Sequence, residues 1–173
     1  MTDEDLTLPA ALAEAHDIGF FEDHDGYDLQ PEETFLWSGE VTEWWRQWTG
    51  NASAEPPPLR VFGADGTGGL AAFWVREPAA ALETQPLVFV GSEGEMHVIA
   101  KDLGDYLWLL AAGVGPLEPI EGIRSDPEPV PALVAVARRH SGLETRPVEA
   151  VLAAARAEHP ALVEELTRCG GAS

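Results

Sequence analysis

The chain has very little positive charge: ten Lys and Arg stand against thirty Asp and Glu, a formal net charge of −20 over 173 residues. The shortage is uneven. Residues 1–45 hold thirteen acids and no Lys or Arg, the first cation being Arg46, so this segment carries −13 and the remainder −7. A field of that sign repels phosphate backbones, which argues against nucleic acid as a partner. It attracts a basic protein and accelerates the encounter. The plainer reading of the same charge is solubility alone.

Cysteine is almost missing too. The single thiol, Cys169, has no second cysteine to pair with. No run of eighteen apolar residues occurs, so no membrane-spanning helix is expected. The first residues, Met1-Thr2-Asp3-Glu4-Asp5, are acidic where a secretory leader would be basic. The expectation is a cytoplasmic protein, monomeric or weakly dimeric, with no membrane attachment.

Catalytic and cofactor motifs are lacking as well. The glycine-rich run Gly63-Ala64-Asp65-Gly66-Thr67-Gly68-Gly69 fits neither G-x-x-x-x-G-K-[ST] nor G-x-G-x-x-G. It is followed by a strand pattern, so no helix N-terminus is offered to a phosphate, and it reads as a hairpin turn. Asp23-His24-Asp25-Gly26-Tyr27-Asp28 resembles part of a calcium loop. With Gly26 at the sixth position, however, Phe21 falls where the first oxygen ligand is needed; starting at Asp23 puts Asp28 where glycine belongs. His16, Asp17 and His24 match no metal-ligand spacing. Ser92 and Ser141 lack a nucleophile-elbow context. Cys169 sits beside Gly170-Gly171, a poor place for a preorganised thiolate. No catalytic, cofactor-binding or metal-binding residues are assigned, and an enzyme is not expected.

What the chain does contain is apolar patterning. With 45% hydrophobic residues and six Trp, a chain of this length can bury about 70% of its unfolded surface in one core. Leu8, Leu12 and Ala15 are at helical spacing in a short helix over Pro9 to His16, and Asp17 to Glu33 reads as an acidic loop. Ser38 or Gly39 is the expected cap of a helix over Glu40 to Trp48, where Val41, Trp44, Trp45 and Trp48 share one face. Gly50 ends it, and Pro56-Pro57-Pro58 leads stiffly into the first strand.

Four short strands follow, at Leu59 to Phe62, Leu70 to Val75, Pro86 to Gly91 and Met96 to Ala100. Asp65-Gly66 and Gly68-Gly69 are expected to supply positive φ for the first hairpin, and Glu93-Gly94 marks the second. Leu87 to Val90 is apolar throughout and is expected to be central, covered on both faces. Asp102 is a good N-cap for a helix with Leu103, Leu107, Leu110 and Val114 on one stripe, stopped by Gly113, Gly115 and Pro116. Four prolines from Leu117 to Pro131 make a connector. Helices over Pro131 to His140 and Pro147 to Cys169 complete the chain, the second broken at Pro160. In it Val148, Val151, Leu152 and Ala155 share a face, as do Leu162, Val163 and Leu166. The fold class is α+β: an antiparallel sheet of four to six strands with helices packed against it, plus the C-terminal helices. The organisation is an acidic helix and loop (1–34), a core domain (35–116), the connector (117–131) and helices docked on the same domain (132–173).

Large aromatics at helical spacing are mostly core, so Trp44, Trp45 and Trp48 are assigned there. Trp74 and Trp108 are expected to be buried. Trp37 lies outside that stripe and beside the acids, where a binding hot spot is more plausible than core.

This order of parts resembles the SUKH superfamily. The residues that carry the resemblance are Trp44-Trp45, Phe62-Gly63, Asp65-Gly66-x-Gly68, Phe73-Trp74 and the Leu-rich stripe from Asp102 to Leu110, covering roughly residues 35–116. Gly69 departs from it, relatives often carrying a polar residue after the turn glycine. The resemblance implies a non-enzymatic protein-binding domain. Bacterial members are immunity proteins that neutralise a toxin, often a nuclease; fungal members regulate cell-wall synthesis. It follows that an acidic surface would cap a cationic toxin cleft, its carboxylates pairing with Arg and Lys. The candidate carboxylates are Glu22, Asp23, Asp25, Asp28, Glu32, Glu33, Glu40 and Glu43, with Trp37 as anchor. The alternative is an intracellular regulator or scaffold of the same type without a toxin.

Overall fold

The computed structural model describes residues 4–18, 29–122 and 127–170. Its centre is a five-stranded antiparallel sheet in sequence order: β1 (Gln30–Pro31), β2 (Leu59–Ala64), β3 (Leu70–Trp74), β4 (Leu87–Val90) and β5 (Met96–Ala100). With the helices, this is the α+β architecture expected from the sequence. Side chains alternate between the faces, as the pleat requires. Phe62, Ala71, Phe73, Leu87, Phe89 and Ile99 enter one core, whereas Val61, Leu70, Ala72, Trp74, Val88, Val90 and Val98 enter the other. Register shifts at Val61/Gly63 and Leu87/Val88 adjust this alternation.

The first face is covered by α1 (Ala10–His16), α3 (Leu103–Ala111) and α5 (Pro131–Ser141). The second is covered by α2 (Ser38–Thr49) and α7 (Leu162–Cys169). Helix α3 is buried on nearly every side, from Leu103 through Ala111 with only Gly104 partly open. Asp102 caps it as expected, accepting the Asp105 N–H at 2.8 Å. Helix α6 (Val148–Glu158) lies along β5 and feeds both cores, through Val148, Val151 and Leu152 on one side and Ala155 on the other. At the opposite rim, the main chain of Glu32 and Leu36 donates to the carbonyls of Phe62 (2.9 Å) and Val61 (3.0 Å).

Several expectations need correction. The stretch Asp17 to Glu33 contains a strand, β1, and Gly63 is what admits it: a Cβ there would lie 2.8 Å from Leu29 Cδ1 and 3.2 Å from the Gln30 carbonyl. Strand β3, not β4, is the middle strand; β4 is apolar throughout because both its faces are covered. Of the first hairpin's glycines only Gly68 has positive φ, at 94°. Its neighbour Gly69 serves packing, since a Cβ would meet Phe89 Cζ at 2.6 Å. The connector contains a one-turn helix, α4 (Glu118–Glu121). In α7, Leu162 and Leu166 are buried but Val163 is 42% exposed, because the first two alone occupy the face toward the sheet.

Candidate protein-binding face

Helix α2 presents one face to the sheet and the other to solvent. Inward, Val41 and Trp45 are buried. Trp44 and Trp48 stack with rings 5.8 Å apart, and each indole N–H reaches a hairpin loop: Trp44 donates to the Gly68 carbonyl at 3.0 Å, Trp48 to the Gly91 carbonyl at 2.7 Å. Three of the four α2-region tryptophans are therefore structural.

Trp37 is different. It occupies the N-cap position, where Ser38 or Gly39 was expected, with an extended backbone (φ −64°, ψ 140°). The cap works through carboxylates from elsewhere: Glu40 accepts the Trp37 N–H at 3.3 Å and Glu4 accepts the Ser38 N–H at 3.1 Å. Both satisfy orphan donors at the positive end of the helix dipole. Glu4 is held in turn by Arg60 at 3.3 Å. The Trp37 indole, 54% exposed, lies flat over Gly39. A Cβ at that position would sit 2.3–2.7 Å from three indole carbons. A helix-weakening glycine is thus the seat of an exposed aromatic ring.

Beside the ring is an open depression of about 760 Å³ along the outer face of α2, bordered by Trp37, Ser38, Gly39, Thr42, Glu43 and Arg46. Arg46, on its border, donates from Nε to the Ala54 carbonyl at 3.1 Å and pairs with Glu55 at 2.9 Å. Glu43 is exposed.

Of the nine residues proposed for partner binding, Trp37 and Glu43 border this depression and Glu40 braces its helix. Glu33 is exposed on the segment leading to α2, and Glu32 is half-buried. The Glu32 carbonyl accepts a hydrogen bond from His16 Nδ1 at 3.1 Å. Glu22, Asp23, Asp25 and Asp28 lie outside the described residues. Gly39 was missed as a site residue because nothing local marks it as a seat for a ring three-dimensionally adjacent to it.

Two other places gather polar groups. In the glycine-rich hairpin the buried Asp65 carboxylate accepts from Thr67 N (2.9 Å), Gly69 N (2.7 Å) and the Thr67 hydroxyl. The donors that a phosphate would need are already taken by a side chain of the same loop.

A cavity of about 560 Å³ opens at the start of α3, bordered by Lys101, Asp102, Asp105, His140, Ser141 and Arg146 among others. Most of the charged groups around it are paired with one another or with Glu14. Lys101 pairs with Asp102, which holds its ammonium pKa up. Arg146 pairs with Asp105, and His140 with Glu14 at 2.8 Å. Arg139 also binds Glu14, and together His140 and Arg139 hold that carboxyl below its ordinary range. Ser141 Oγ accepts from the Trp108 indole at 2.9 Å and from the Leu143 N–H at 3.2 Å, which makes it a fastener between α3 and α5. Among the described residues no three His, Cys, Asp or Glu side chains are grouped as metal ligands.

No family model, no curated protein and no solved structure matches this chain.

Proposed function

We propose that this protein is a non-enzymatic binding domain of the SUKH type, an immunity protein that covers the active site of a basic, nuclease-type toxin. The observation that carries this reading is the Trp37 indole, more than half exposed yet seated on Gly39, within a segment of thirteen acids and no Lys or Arg before Arg46. Rigid aromatics commonly anchor protein interfaces. A surplus of carboxylates around one matches a cleft built to hold phosphate.

The test is association kinetics with a nuclease domain encoded beside this gene, comparing the protein with a Glu33→Lys/Glu43→Lys variant. The reversed variant should associate at least about tenfold more slowly at low salt and show a weaker salt dependence. Equal association rates would refute the acidic-face mechanism. A gene with no toxin neighbour would instead favour a regulator that uses the same face.

A further inference from the structure

We infer that Trp37, Gly39 and Glu43 form a receptor for a single guanidinium group of the partner. The inference rests on reading this face as the surface for a cationic protein, and it names the contact made there. The indole lies over Gly39, and Glu43 is four residues further along the same helix. Residues at that spacing are neighbours, about 5–6 Å apart at Cβ. Helical side chains lean toward the N-terminus, a direction that brings the Glu43 carboxylate within reach of a group resting on the ring. Both residues border the same depression.

An exposed indole face attracts a cation, and a planar guanidinium can lie flat on it while its N–H edge meets a carboxylate. Arg46, two turns after Gly39 and on the border of the same depression, is already committed to the Ala54 carbonyl and Glu55. Glu40, the other acid of α2, is engaged with the Trp37 N–H at 3.3 Å. That leaves Glu43 as the carboxylate available to an incoming arginine. The absence of a Cβ at residue 39 is what lets the ring lie down and expose its face.

The experiment is an NMR titration of the whole protein, following the tryptophan indole N–H signals. The Trp37 signal is assigned by its loss in Trp37→Phe. The probes are N-acetyl-arginine-N-methylamide and its neutral isostere N-acetyl-citrulline-N-methylamide, at constant ionic strength. The arginine probe should shift the Trp37 signal saturably, with a dissociation constant on the order of 10–100 mM, and citrulline should not. Glu43→Gln, a surface change, should weaken the response about two- to fivefold. Gly39→Ala, checked by circular dichroism to be folded, should abolish it. An equal response to citrulline, no Trp37 response, or undiminished binding by Glu43→Gln or Gly39→Ala would each overturn the inference. Slowed toxin association by the charge-reversed variant would stand regardless, so the two failures are distinguishable.

Discussion

Asp105 holds Arg146 through two parallel bonds, Nε to Oδ1 at 2.9 Å and Nη2 to Oδ2 at 3.0 Å. The pair joins the first turn of α3 to the segment between α5 and α6. Only 4% of the Asp105 side chain is exposed, against 25% for Arg146. Removing the cation therefore strands a buried carboxylate. Arg146→Ala should cost about 2–4 kcal/mol. Arg146→Lys keeps the charge but loses the fork, and should cost roughly half as much. Urea unfolding with unchanged slopes would measure both.

The first hairpin offers a contrast between adjacent glycines. Gly69 has Phe89 Cζ at 2.6 Å and the Val90 carbonyl at 3.1 Å from where a Cβ would be. Gly69→Ala is overpacking against a ring and backbone and should cost about 1–3 kcal/mol. Gly68 has open space but φ of +94°, so Gly68→Ala should cost about 1 kcal/mol through backbone strain alone. Denaturant midpoints for the two variants should fall in that order; equal midpoints would mean that the Phe89 ring moves aside.

Acid should weaken the fold through partly buried imidazoles. Burial holds His16 below the ordinary value of 6.5, and burial likewise lowers His97 and His159. The unfolded chain then binds more protons than the native one below pH 6.5. This contribution is complete above 6.5 and is lost as pH falls toward the depressed native values. His16 can add a slope of up to about 1.4 kcal/mol per pH unit, and the more exposed His97 and His159, screened by solvent, add less. His16→Gln retains a donor for the Glu32 carbonyl, and it should flatten the stability–pH curve between pH 6.5 and 5 relative to the parent.

The helices and strands of the sheet were largely legible because each rests on local chemistry. Asp102 caps α3 in the manner its position announces, and Leu87 to Val90 had to be covered on both faces. The remainder depends on contacts made at a distance. Strand β1 is two residues long and includes Pro31, so no periodicity could mark it; its place is set by the Gly63 backbone beside Leu29. Ser38 and Gly39 look like caps, but carboxylates thirty-four residues upstream (Glu4) and two residues downstream of Ser38 (Glu40) perform that role. Trp37 was identifiable as the exposed tryptophan because it falls off the α2 stripe, whereas the seat beneath it was not identifiable until the ring was placed.

The rims of the sheet carry a further consequence. On one side β5 packs along α6, and on the other the edge of β2 is bonded by β1 and by the main chain of Glu32 and Leu36. Exposed strand rims let foreign backbones join as extra strands. Along the β2 edge those bonds already engage the main chain, so a newcomer on that side is selected by side-chain chemistry and not by backbone pairing.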